Sequence, residues 1–165
     1  MKRLLPLLLA ALLLLSACSG GAEPVPDQTF DFYYRAPQDA DVLLAAETVS
    51  VDAVQLSIQE LLARYLQGPK DKRLRRTVPL EWQLESAYLD ADTAVLIFSD
   101  TESDRPAVEI SVARAAIART LLQLDAIQKV SITISGQENS VTLTQKDILF
   151  DDTTLQTQQE EIILY

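Results

Sequence analysis

A chain of 165 residues with 24 acidic against 14 basic side chains carries a net charge of −10, which excludes nucleic acid as a partner, because its phosphates would be repelled over most of the surface. No histidine is present, so the commonest general base and metal ligand is missing, and a single cysteine excludes an internal disulfide. The length suits one domain with a sizeable core.

Met1-Lys-Arg3 and the apolar run from Leu4 to Leu15 have the build of a secretory leader, read here as a signal peptide over residues 1–17. The run ends in Leu15-Ser16-Ala17-Cys18, which resembles the bacterial lipobox, where small residues precede a cysteine that is cleaved and lipidated. The alternatives at this point are a retained membrane span and an ordinary cleavage that leaves a free thiol. The lipobox reading makes Cys18 the lipid-attachment residue and the mature net charge −12. Two or more acyl chains anchor stably where one does not, so the expected address is the extracytoplasmic face of the cell membrane. Residues 18–28, with Gly20, Gly21, Pro24 and Pro26, read as a tether reaching about 30 Å when extended at about 3.3–3.6 Å per residue.

The folded part is expected over residues 29–152. Phe30-Asp-Phe-Tyr-Tyr34 and Leu43 to Val51 predict two strands joined across residues 36–41. Asp52 with Gln55 offers a box-like cap for a helix whose buried stripe is Val54, Ile58, Leu61 and Tyr65, and Gly68-Pro69 stops that helix. Lys70-Asp-Lys-Arg-Leu-Arg-Arg76 then puts five cations into seven residues of an acidic chain. Lys70, Lys72, Arg73, Arg75 and Arg76 are therefore candidates for contact with anionic headgroups or wall polymer, the alternative being a solvated loop over a neighbouring acidic face.

Trp82 to Leu89 and Thr93 to Phe98 flank Asp90-Ala-Asp92 as a β-hairpin. Asp100-Thr-Glu-Ser-Asp104 alternates acids yet fails the calcium-loop pattern, with Arg105 at the sixth position and Ser111 at the twelfth, and reads as a solvated loop. Ser99, Ser103 and Ser111 have no histidine to activate them, and the turn itself explains Asp90 and Asp92. Catalytic residues, metal and cofactor are accordingly all expected to be absent. From Arg105 to Gly136 a helix with Ile110, Ala113, Ile117, Leu121 and Leu124 at helical spacing runs into the alternating strand Val130-Ser-Ile-Thr-Ile134. Val141-Thr-Leu143 suggests a further short strand and residues 146–152 a closing loop. Residues 153–165 form a polar tail ending in Ile162-Ile-Leu-Tyr165, either an edge strand or loose.

The predicted class is α/β in the α+β sense: two helices packed on one face of a mixed, mostly antiparallel sheet. With Leu62-Ala-Arg-Tyr-Leu-Gln-Gly-Pro69, Val78-Pro79, Leu96-Ile-Phe-Ser-Asp100, Arg119-Thr-Leu-Leu122 and Val130-Ser-Ile-Thr-Ile-Ser-Gly136 in that order, the chain from Phe30 to Asp151 resembles the GerMN domain of sporulation and spore-germination lipoproteins. Two departures stand out: Ser99-Asp100 replaces the family's Asp-Leu-Ser order, and the length holds one such domain where germination proteins can carry two. The resemblance implies a sandwich akin to ring-building modules, no catalytic residue, and envelope or sporulation proteins as partners, self-association included. Phe30, Phe32 and Tyr34 could then be either contact surface or core. A wall or anionic-polymer binding module using residues 70–76 is the competing function.

Overall fold

A computed structural model describes residues 28–51, 57–102, 105–135 and 140–148. The elements in chain order are β1 (Gln28–Arg35), β2 (Leu44–Val51), α1 (Ile58–Tyr65), β3 (Gln83–Asp90), β4 (Thr93–Ser99), α2 (Ala107–Leu121), β5 (Lys129–Ser135), β6 (Val141–Thr144) and the single turn α3 (Gln145–Ile148). The α+β class expected from the sequence is the class observed. Its strands divide between an antiparallel pair, β1-β2, and a four-stranded sheet ordered β3-β4-β5-β6.

The β4–α2–β5 unit organises the larger sheet. β4 and β5 run parallel with Leu96 opposite Ile132 and Phe98 opposite Ile134, which requires a crossover, and α2 provides it. Pro106 occupies the position just before the first helical residue, at φ −56°, where its missing N–H costs nothing. Ala94, Leu96 and Phe98 of β4 and Val130, Ile132 and Ile134 of β5 are buried, so period-two alternation with one inward face is what fixes their register. α2 buries Ala113, Ile117 and Leu121 as its spacing predicts, and also Val112, Ala115, Ala116 and Ala118. Small alanines let the neighbouring elements approach closely.

The β3–β4 hairpin departs from simple alternation. Leu84 pairs with Phe98 but Ser86 with Ile97, so Glu85 is an extra residue in a bulge. The bulge turns Leu84 and Ala87 towards the core, where both pack, although strict alternation would put Ser86 on the same face as Leu84. In the turn, Ala91 takes φ +53°, left-handed backbone that costs an L-residue roughly 1 kcal/mol. Ala91→Gly is therefore expected to raise stability by at most about 0.5 kcal/mol after glycine's own entropy cost of about 0.5–1 kcal/mol, read as a higher urea midpoint at an unchanged slope.

The start of α1 is set by a capping box: Ser57 Oγ accepts from the Glu60 amide at 3.1 Å, and the Ser57 amide donates to the Glu60 carboxylate at 3.2 Å. The expected pair Asp52 and Gln55, with Val54, lies outside the described residues. Where a closing loop was expected after Lys146, Gln145–Ile148 form one helical turn that buries Ile148, held by Asp147, whose carboxylate accepts the Thr144 amide at 2.7 Å.

β1 is joined to the rest of the molecule along its outer edge. The backbone N–H and C=O that Asp31 and Tyr33 direct away from β2 are all taken by side chains. Gln123 presents its amide to Asp31 as a strand would, accepting from N at 2.9 Å and donating to O at 2.7 Å. Thr120 Oγ1 accepts from the Tyr33 amide at 3.1 Å, and Tyr65 donates its hydroxyl to the Tyr33 carbonyl at 2.8 Å. One residue further on, Arg35 exchanges both backbone hydrogen bonds with Arg75, at 2.9 and 3.0 Å. Arg119 lies over the Tyr33 ring at 4.3 Å.

Candidate interaction surfaces

The basic segment is held by hydrogen bonds to its backbone and by one of its cations, Arg76. Gly68 follows α1 at φ +90°, and a Cβ there would sit 2.9 Å from Arg76 Nη1. The absence of a side chain thus lets Arg76 reach back to the carbonyls of Gln67, at 2.8 Å, and Leu66. Its guanidinium caps the carboxyl end of α1, where a cation is favoured. The amides of Lys70 and Asp71 both donate to the Glu47 carboxylate, at 3.0 and 2.7 Å. Arg73 folds onto Asp71 at 2.7 Å, and these Arg73 hydrogen bonds hold the Asp71 carboxyl well down, at about 2.

Of the five candidate cations, then, Arg76 is spent on the fold. Lys70, Lys72, Arg73 and Arg75 are exposed, and an open concavity of about 430 Å³ between this loop and the β1–β2 connection is lined by Pro37, Gln38, Asp39, Lys72, Arg73 and Arg75. Cys18 lies outside the described residues.

In the acidic stretch after β4, Thr101 and Glu102 are exposed as a solvated loop would have them, and Asp100 departs from that expectation. The Asp100 side chain is only 5% exposed and that of Arg105 11%. Trp82, buried against Phe98, needs an acceptor for its indole N–H, and Asp100 Oδ2 takes it at 2.8 Å. Asp100 also accepts the Glu102 amide at 3.0 Å and Arg105 Nε at 3.4 Å, while Arg105 Nη2 reaches Glu81 at 3.0 Å and Glu102 at 2.9 Å. Burial pushes the Asp100 carboxyl up, but the Glu102, Trp82 and Arg105 donors outweigh it and leave its pKa below the ordinary value. These contacts explain the carboxylates as structural.

Among the described residues, no group of three or more His, Cys, Asp or Glu is placed to hold a metal ion. Ser111 Oγ donates to the Ala107 carbonyl within α2 at 2.9 Å, and Ser103 lies outside the described residues. Asp92 pairs with Lys129 at 3.5 Å. No helix among the described residues is long and apolar enough to cross a membrane.

The aromatic strand resolves to core. Phe30, Phe32 and Tyr34 are 6%, 2% and 2% exposed, so none of them offers a contact surface. The exposed large apolar side chains among the described residues lie elsewhere: Val42 and Leu43 before β2, Leu80 before β3, Tyr88 and Leu89 on β3, and Val108 on α2.

A sequence profile described as Germane, sporulation and spore germination, matches residues 31–140, from β1 to the start of β6. The chain belongs to the Germane family. Two solved structures from Bacillus subtilis share the fold. The first GerMN domain of the sporulation protein GerM is 19% identical with a TM-score of 0.55, over 73% of this chain and 99% of that one. The tandem GerMN domains of GerM are 17% identical with a TM-score of 0.50, over 73% of this chain and 43% of that one. This chain therefore spans less than half of the tandem structure. No curated protein matches it at a significant level. One Germane feature and one departure from the family have physical roles here: Gly68 admits the Arg76 cap, and Ser99-Asp100, where the family has Asp-Leu-Ser, ends β4 at the carboxylate that Trp82 and Arg105 share.

Proposed function

We propose that this Germane protein is a non-enzymatic envelope lipoprotein, held by acyl chains at Cys18 on the outer face of the membrane and acting in sporulation or germination through contacts with other proteins. The observation that carries the reading is positional: Leu15-Ser16-Ala17-Cys18 closes an apolar leader and stands ten residues before β1 of a sporulation and germination domain. Two or more chains, at about 0.8 kcal/mol per buried CH₂, hold a protein at a bilayer without any spanning helix. The carboxylates in the described residues that looked most like chemistry are occupied by structural donors, and this supports a binding role. Uncovered Tyr88 and Leu89 on the edge hairpin supply apolar area for a partner.

Cys18→Ala tests the anchor. Membrane fractionation should show the variant either shifted to the soluble fraction or retained as uncleaved precursor, and a processed variant that stays on the membrane refutes the anchor. Deleting the gene and scoring growth, sporulation and germination separately tests the rest, with a defect confined to vegetative growth counting against the reading.

A further inference from the structure

We infer that the concavity between the basic loop and the β1–β2 connection binds a phosphate-bearing polymer of the cell wall, with Lys72, Arg73 and Arg75 as its contacts. Three cations and one acid, Asp39, line this concavity in a chain of net charge −10. The backbone carries the burden of holding the loop, through Glu47 to two amides and Arg35 to Arg75, so these charges are not needed for folding. Lys72 and Arg75 have no ion-pair partner among the described residues, while Arg73 shares its guanidinium with Asp71 and remains 82% exposed.

The shape is open, not an enclosed pocket. Cations set around an open rim suit successive phosphates along a flexible chain, with the Arg75 guanidinium able to fork onto one of them. Direction favours a wall polymer over the protein's own bilayer, a step that rests on the Cys18 anchor. The tether enters β1 at Gln28, whereas Arg35, bridged to Arg75, stands at the other end of this eight-residue strand, roughly 24 Å away at about 3.4 Å per residue. The concavity therefore stands at the end of β1 opposite to the one that follows Cys18 in the chain.

The test is cosedimentation of the full processed chain, in detergent micelles, with isolated sacculi that carry their phosphate polymer or have been stripped of it by hydrofluoric acid. Binding to intact sacculi should weaken as salt rises and drop at least fivefold on stripping. The triple variant K72Q/R73Q/R75Q should lose at least fivefold, while R64Q/K129Q/K146Q, with the same change in net charge, should stay within twofold of the parent. Should the triple variant lose its far-UV dichroism, K72Q and R75Q singly replace it, each expected to lose about twofold. Parent-level binding by the loop variants, an equal loss in the control, indifference to stripping, or capture by anionic-lipid vesicles without capture by sacculi would each overturn the proposal. Micelles remove any need for the anchor, so a failed anchor and a failed polymer site give different results.

Discussion

Tyr65→Ala should cost about 3–5 kcal/mol, enough to unfold much of the population of a domain of ordinary stability. The ring is 1% exposed, stacks on Tyr34 with centroids 5.1 Å apart and meets Phe32 edge-on at 5.6 Å, so truncation opens a cavity that three elements cannot close. Its hydroxyl carries a separable share. It bonds to the Tyr33 carbonyl and to Thr77 Oγ1, both at 2.8 Å, and burial raises its pKa far beyond the ordinary tyrosine value, so it stays protonated. Tyr65→Phe keeps the packing and removes those bonds, leaving buried groups short of a partner, for which about 1–2 kcal/mol is expected. Urea unfolding of both variants checks this. A phenylalanine variant as stable as the parent would show that the hydroxyl contributes shape alone.

The second large effect is expected at Arg105. Replacing it with methionine keeps most of the stem but leaves Asp100, with its covered carboxylate, facing Glu81 and Glu102 with no cation. Breaking a deeply buried pair costs about 3–5 kcal/mol. This cluster lies near the surface and water screens part of the charge, so about 2–3 kcal/mol is the expected loss. The pH dependence has a definite sign. The folded Asp100 pKa lies below its unfolded value, so its contribution is complete above the ordinary carboxylate range and disappears as acid carries the pH down through the depressed value. Melting midpoints measured from pH 6 downward should fall more steeply for the parent than for Asp100→Asn, and parallel curves would rule out the cluster as a source of acid lability.

The sequence exposed those elements in which local pattern and burial agree. β1, β4 and β5 alternate cleanly because each hides one face, and the α2 stripe is visible because its larger apolar residues recur at helical spacing. What escaped detection depends on chain partners far apart. Nothing near Ser86 announces that Glu85 is bulged, since the bulge is defined by pairing with β4. Two box-like pairs stand five residues apart, Asp52/Gln55 and Ser57/Glu60, and only the fold selects the second as the cap of α1. The acidic run at residues 100–104 looked solvated because the indole that claims Asp100 lies 18 residues upstream. The candidate site was legible as a charge anomaly in composition. Its division into Arg76, which closes a helix, and the cations left facing solvent required the Gly68 backbone and the 47–71 contact.

The side-chain lattice along β1 has a consequence for crowding. Phe30 to Tyr34 is aromatic and β-forming, and a bare rim beside it would invite cross-molecule zippering wherever copies accumulate. Gln123, Thr120, Tyr65 and Arg75 occupy every backbone valence that rim would offer from Asp31 to Arg35. The molecule can thus be packed densely without this ribbon templating a fibril.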